Sequence, residues 1–316
     1  MIVTNRASAF ISASLFLLGF ARTPVIIAQT AAAAPPPIVQ SPSPMVDETR
    51  PHERLVQKTL PGSLRTFVGP ADKPVEVFVP ADLPRRDEFS VVIHFHGAAW
   101  LAEQAISMAD KHAVAAVLNL GTGSGVYDRS FSDPAAFDSL LANIAQEVSM
   151  VSGKLKRVGA VTLVGFSAGY GAVRAILREP RHFTRVSSVL LLDGMHTSYV
   201  PEGVTLAAGG AIDSLNLVAF RNFARAAMHN EKRFLVTHSE IFPGSYASTT
   251  ETANWILHSL EVHQKPVLRQ GPRGMQQLSE LRTGHFELLG FAGNSAPDHI
   301  DQLHGMPEFL VRLFKM

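Results

Sequence analysis

The chain predicts an α/β fold, a mainly parallel sheet of about eight strands with helices on both faces. From about residue 62, short apolar runs alternate with stretches of helical periodicity. That order builds a parallel sheet from strand–helix–strand units, covered on both faces. Hydrophobic residues are 46% and charged residues 17% of the 316, which suits an ordinary globular domain of roughly 260 residues around one core.

In chain order, residues 64–68 and 75–79 read as strands joined through Gly69, Pro70 and Asp72, an antiparallel hairpin. Residues 91–95 are an apolar strand, 102–109 a helix-like stretch and 114–118 the next strand. Ser132, Asp133 and Pro134 mark a helix start, with Pro134 at the first helical position. Phe137, Leu140, Leu141, Ile144 and Val148 lie on one face of that helix. A short buried strand at 161–164 leads into a helix at 168–177. Residues 189–192 and 234–237 are strands, 249–262 a helix, 286–291 the last strand and 300–314 the last helix.

The N-terminus carries a different signal. Residues 1–6 are short with one positive charge, residues 7–21 are almost wholly apolar, and small residues follow at 31–34. This is the layout of a secretory signal peptide, expected to cover residues 1–30 with cleavage near 28–34. The apolar run is about 15 residues, short of the ~20 that a spanning helix needs. A retained anchor is the alternative, because residues 25–28 extend the run. Residues 31–60 read as a Pro/Ala-rich linker and N-terminal extension, and 61–316 as the folded domain. The expected location is periplasmic or secreted, with no stable membrane insertion after cleavage.

Composition excludes several functions. The formal net charge is +1 with no basic stripe, which argues against a nucleic-acid partner. There is no cysteine, so disulfides, thiolate catalysis and cysteine metal sites are all absent. His94 and His96 lie two apart on one strand face, a spacing that would also suit a metal pair. No carboxylate or third histidine accompanies them nearby, so the expectation is no metal and no cofactor, with a structural role for these imidazoles. Residues 121–125, GTGSG, lack the spacing and the Lys-Ser/Thr ending of a phosphate loop and read as a flexible wall of the site.

Gly165-Phe166-Ser167-Ala168-Gly169 matches G-x-S-x-G. Roughly one random chain in eight of this composition would carry the match, so its context decides. The motif follows VTLV and precedes AVRAIL directly, which places it in a strand-to-helix turn. Such a turn throws the Ser167 hydroxyl out above the sheet as a nucleophile and aims the N-terminus of the next helix at the site. The N–H of Ala168 would then be one oxyanion donor. The alternative is an ordinary Gly-rich turn with Ser167 as helix N-cap.

His94-Phe95-His96-Gly97-Ala98-Ala99-Trp100 follows the apolar VVI. With both motifs in this order, each after a strand, the chain resembles the α/β-hydrolase superfamily, in its esterase and lipase members, over about residues 62–315. It departs from the full HGGG form, since alanines replace glycines at 98 and 99. The resemblance implies the N–H of Ala98, or else of Ala99, as second oxyanion donor. It also implies a chain order of Ser, then acid, then His, with the His after the last strand.

His299 follows that strand, in a polar loop ahead of the final helix, and is the expected base; His304 is the alternative. His285 precedes the strand and lies at the wrong end of the sheet. For the acid, Asp193 closes the apolar run 189–192, and Glu240 follows the next strand, the commoner place in the superfamily. Asp193 is preferred because a triad carboxylate must be short, fixed and partly buried. Glu240 stays open as the alternative, while Asp298 is too close to His299 to face its ring.

Residues 195–231 form a long insertion in which Leu215, Val218, Phe220 and Phe223 mark a helix. It reads equally as a water-excluding cap or as an additional packing helix. Trp100, Tyr127, Phe131, Met195, Tyr199, Phe242 and Tyr246 fall in loops expected to wall an apolar pocket. The resulting expectation is a secreted serine hydrolase, a carboxylic-ester hydrolase working on a small-molecule ester through an acyl-serine. A peptidase, amidase or acyltransferase could use the same parts, and a catalytically inactive binding protein is the alternative of another class. Substrate identity and oligomeric state are not legible in the sequence.

Overall fold

The apolar runs become strands because their side chains alternate between two separate cores. The computed structural model describes residues 53–316, so the expected signal peptide and most of the linker lie outside the described residues. The strands are β1 (Gly62–Val68), β2 (Pro74–Pro80), β3 (Glu88–Phe95), β4 (Val114–Leu118), β5 (Arg157–Phe166), β6 (Ser188–Leu192), β7 (Tyr199–Val200), β8 (Ala211–Ile212), β9 (Arg233–His238), β10 (Lys265–Gln270), β11 (Gln276–Thr283) and β12 (Phe286–Phe291). Ten of them form one sheet in the order β1-β2-β4-β3-β5-β6-β9-β12-β11-β10, and β7 and β8 form a separate ribbon. The run from β4 to β12 is parallel, and both ends of the sheet are antiparallel.

The helices are α1 (Ala99–Ala109), α2 (Ser124–Ser130), α3 (Pro134–Ser152), α4 (Tyr170–Arg178), α5 (Pro180–Arg185), α6 (Val218–Met228), α7 (Thr249–Ser259), α8 (Ala296–His304) and α9 (Met306–Phe314). On one face of the sheet Ile93, Leu163, Leu191 and Val236 pack with Ile144 of α3, Val173 of α4, Phe223 of α6 and Ile256 of α7. On the other, Val92, Val164, Leu190 and Leu235 pack with Leu101 of α1 and Leu310 of α9. Odd and even positions of each parallel strand therefore serve different cores, which is why these strands read as continuous apolar runs.

The structure corrects several expectations. The main sheet has ten strands where about eight are expected. The hairpin β10–β11 carries no apolar run to read: KPVLRQ is largely exposed, and QQLSELRT is half-buried and mostly polar. The single helix expected at 300–314 is two, α8 and α9, meeting at Gly305 with Pro307 in the first turn of the second. Residues 121–125 are not wholly a loop, since Ser124 opens α2. The described end of the linker is tied down: Leu55 N–H donates to His304 Nδ1 at 2.8 Å and Lys58 N–H to Gln104 Oε1 at 2.8 Å. Those bonds satisfy polar groups on α1 and α8 that a free linker would leave to water. Tyr127, Phe131, Met195 and Tyr199 are core residues and not pocket walls, being at most 2% exposed.

The helix in the insertion is a packing element. Phe220 and Phe223 are fully buried, and Phe223 packs edge-to-face on Phe183 at 5.4 Å and on Phe234 at 5.5 Å. Leu215, also expected to mark this helix, is 80% exposed and precedes it. Phe223→Ala is expected to cost about 3–5 kcal/mol of unfolding free energy. Leu215→Ala should stay within about 0.5 kcal/mol of the parent. Denaturant unfolding of the two variants checks this, and equal effects would contradict the packing role.

Candidate active site

The turn between β5 and α4 is tight and strained at Ser167. Ser167 has φ +47°, in the left-handed region that non-glycine residues seldom occupy. The turn closes only over glycines. A Cβ on Gly169 would stand 2.0 Å from the Phe95 carbonyl oxygen of β3, and one on Gly194 would stand 2.6 Å from the Ser167 carbonyl oxygen. The residue at the N-cap of α4 is Gly169, with no side-chain cap, so the Ser167 hydroxyl is not spent on capping. Ala168 is the middle residue of the short 3-10 turn Ser167–Gly169 that leads into α4.

Asp193 leaves the end of β6 with φ +42°, a conformation that aspartate tolerates better than most residues. Its side chain is 2% exposed, and four bonds converge on it. Oδ1 accepts from Ser239 N–H at 2.9 Å and from the Thr249 hydroxyl at 2.7 Å. Oδ2 accepts from the Ser239 hydroxyl at 2.7 Å and lies 2.7 Å from His299 Nδ1. Burial alone would raise this carboxyl. The hydrogen bond and charge of His299, with the Thr249 and Ser239 hydroxyls, outweigh it and hold Asp193 well below the usual carboxylate range. An ionised carboxylate only accepts, so Nδ1 of His299 donates this bond, which in the neutral ring leaves the lone pair on Nε2.

His299 is held by the start of α8. Ser295 and Asp298 form a reciprocal capping box, with Ser295 N–H on Asp298 Oδ2 at 3.0 Å and the Ser295 hydroxyl on the same oxygen at 2.6 Å. His299 follows one residue later, and its ring stacks on Phe166 at 4.6 Å. Phe166 stacks in turn on His96 at 6.1 Å, and His96 Nδ1 lies 3.0 Å from the Tyr127 hydroxyl. Burial, then the nearby His299, lower the pKa of His96.

Ser167, Asp193 and His299 line one cavity of about 410 Å³, with Ile241, Phe242 and Pro243 on its wall. Ser167 also lines a second cavity of about 540 Å³, bounded by Thr122, Ser124, Tyr170 and Arg174. His196 and Tyr246 border both. A larger hollow of about 650 Å³ beside β10 and β11 contains none of these residues, so chemistry and not volume identifies the site.

The other expected residues fall differently. Glu240 is exposed and does not reach His299. Its Oε2 accepts from Gly293 N–H at 3.3 Å, and its N–H donates to the Gly293 carbonyl at 3.0 Å, which ties down the loop before α8. His304 takes the bond from Leu55 and lines neither cavity; burial, then Arg54 and Arg273, push it down to about 4. Ala98 is the N-cap of α1 and also lines neither cavity, although it follows the His96 ring that closes the stack on His299. Gly97 N–H donates to Asn119 Oδ1 at 2.9 Å, so it is already used. Among the described residues no group of three or more His, Asp or Glu comes together to hold a metal. The sequence reading did not single out Ser239, Thr249, His196 or Arg174, since isolated polar residues in loops and helices carry no spacing signal.

Neither a protein-family model nor a curated protein sequence matches the chain. Among solved structures it is similar to Est1E from Butyrivibrio proteoclasticus, at 11% identity over 81% of this chain and 100% of that one, TM-score 0.42. It is also similar to poly(aspartic acid) hydrolase-1 from Sphingomonas sp. KT-1, at 16% identity over 82% and 100%, TM-score 0.44. A third is an acylaminoacyl peptidase from Pyrococcus horikoshii, at 12% identity over 81% of this chain and 42% of that one, TM-score 0.44. Likenesses this distant say nothing of substrate or residue roles. The strand order, with Ser167, Asp193 and His299 after β5, β6 and β12, gives the chain the α/β-hydrolase fold.

His94, under the loop that follows β3, is fully buried, and burial pushes it down to about 3. It stays neutral in the folded chain through mild acid, while in the unfolded chain it takes a proton near about 6.5. The unfolded state therefore gains on the folded one as pH falls below about 6.5, by roughly 1.4 kcal/mol per unit until the folded value is reached. His94→Phe should flatten that dependence by one proton across about pH 4–6. Denaturant unfolding at a series of pH values reads the slope, and an unchanged slope would refute the assignment.

Proposed function

We propose that the chain is a serine hydrolase cleaving carboxylic esters through an acyl-serine intermediate. The observation that carries this is the 2.7 Å contact between His299 Nδ1 and the buried Asp193, with Ser167 at a left-handed elbow on the wall of the same cavity. Nε2 of His299 takes the Ser167 proton as Oγ attacks the ester carbonyl carbon. The oxyanion is held by the N–H of Ala168, in the turn that leads into α4. His299 then passes the proton to the leaving alcohol, and water repeats the sequence on the acyl-serine. Asp193 keeps the imidazole in the Nδ1–H tautomer and stabilises its charged form.

Ser167→Ala should lose about 10⁶ in kcat while unfolding like the parent. It should also lose labelling by a fluorophosphonate probe. A pure variant that keeps a few per cent of the p-nitrophenyl ester turnover would sink the reading. Asp193→Asn should lose about 10³ to 10⁴ in kcat and Glu240→Gln little; the reverse pattern would move the acid to Glu240. Faster release from p-nitroanilides than from the matched p-nitrophenyl esters would make the chain an amidase.

We also infer export, from the apolar run at 7–21 and the small residues after it. Among the described residues no helix is long and apolar enough to cross a membrane. N-terminal sequencing of protein from the periplasm or medium should start near residue 30, and an intact Met1 in a membrane fraction would overturn this.

A further inference from the structure

The two cavities that meet at Ser167 differ in chemistry, and the direction of the reaction assigns them. His299 must protonate the leaving group, so the alcohol side of the ester lies in the cavity that His299 lines, against Ile241, Phe242 and Pro243. The acyl chain is left with the other cavity, which opens at Ala168 and runs along α4. That wall is polar. Tyr170, Arg174 and Arg178 recur every four residues on one face of α4, and the first two line the cavity.

Arg174 is built into this wall. Its side chain is only 11% exposed, and its guanidinium carbon lies 5.3 Å from the centre of the Tyr170 ring. The Tyr170 hydroxyl donates to Ser124 Oγ at 3.0 Å, which fixes the ring. Arg174 Nε and Nη2 each lie 2.7 Å from Asp128 Oδ2, so Nη1 is used by neither bond. Asp128 is also paired with Arg178, 3.3 Å from Oδ1, and Arg178 reaches Asn216 Oδ1 at 2.9 Å. Two guanidinium groups thus share one carboxylate, and the cluster keeps one positive charge unbalanced. Glu202 is the other charged side chain on the wall, but it is exposed, where water screens it.

We infer that this cavity is an acyl-chain subsite for a carboxylate, so that the substrates are esters of acids bearing a second, ionised carboxyl group bound by Arg174. A largely buried guanidinium beside an aromatic face suits such a group, because it is weakly hydrated and binds carboxylates through a planar fork. An unbranched apolar acyl chain would instead desolvate Arg174, Ser124 and Tyr170 without replacing their bonds to water. The inference rests on the hydrolase reading above.

The test compares kcat/KM of the full chain on three esters of equal length: monomethyl adipate, methyl hexanoate and the neutral carboxamide methyl 5-carbamoylpentanoate. Released acid is measured by chromatography. The wild type should prefer monomethyl adipate to each of the other two by about tenfold or more, the value of a charge-assisted bond. Arg174→Gln should collapse that ratio to about one, while Arg174→Lys keeps part of it because the charge survives without the fork. Equal turnover of adipate and hexanoate by a wild type that still takes up fluorophosphonate at Ser167 would overturn the subsite and leave the hydrolase reading standing. Carboxamide turnover equal to that of adipate would overturn the ionic part. No turnover and no labelling would overturn both readings. Should Arg174→Gln fail to fold, the wild-type ratios among the three esters decide.

Discussion

The buried carboxylate of Asp193 is the constraint on which the site depends. An ionised group with 2% exposure is costly unless every lone pair is used. The end of β6 carries it, and its partners come from three other places in the chain: the residue after β9 gives the Ser239 N–H and hydroxyl, the first turn of α7 gives Thr249, and α8 gives His299. The carboxyl ends of the central strands and the starts of two helices are therefore held in register by one charge. A shift in any of them leaves the charge short of a bond, so the packing of this end of the sheet and the orientation of the imidazole are one requirement.

Local devices surround that charge and aim the remaining groups. Capping boxes start both helices that serve it, Ser248 with Glu251 for α7 and Ser295 with Asp298 for α8. The Tyr199 hydroxyl from the insertion donates to Glu251 at 2.8 Å, so the insertion steadies α7 as well as packing α6 into the core. Below the imidazole the stack of Phe166 and His96 fixes the ring plane. Above it, the Glu240–Gly293 bonds hold the loop that leads into α8. Glu240 is thus engaged with the backbone of Gly293 on both its side chain and its N–H.

The additions to the sheet lie away from this chemistry. The hairpin β10–β11 extends the edge beyond β12, and its outermost strand is short, bulged and carries Lys265, Pro266 and Arg269. Charge, proline and a bulge on an edge strand discourage pairing with another chain. Pairing of β11 with β12 gives the last parallel strand a second neighbour and keeps its backbone out of water.

Much of this fold was legible because its signals are local. A strand buried on both faces must be apolar throughout, so β3 to β6, β9 and β12 stand out as runs, whereas β10 is exposed and β11 only partly buried, and neither leaves a run to read. The turn was legible for a related reason: Gly165 and Gly169 flank Ser167 at fixed spacing because a side chain at either would be crowded, and the structure adds that Phe95 fills the room at Gly169 while Leu191 and the backbone of Gly169 and Tyr170 crowd Gly165. His299 could be named from its place after the last strand alone. The choice between Asp193 and Glu240 was different, since both follow a strand and only the fold shows which one faces His299. The same holds for Ser239, Thr249 and Arg174, which lie far apart in sequence from the groups they touch. Periodicity, turn chemistry and chain order belong to the sequence by itself. Which distant side chains share a buried charge is decided only when the strands are laid side by side, because burial and hydrogen-bond distance are properties of neighbours in space.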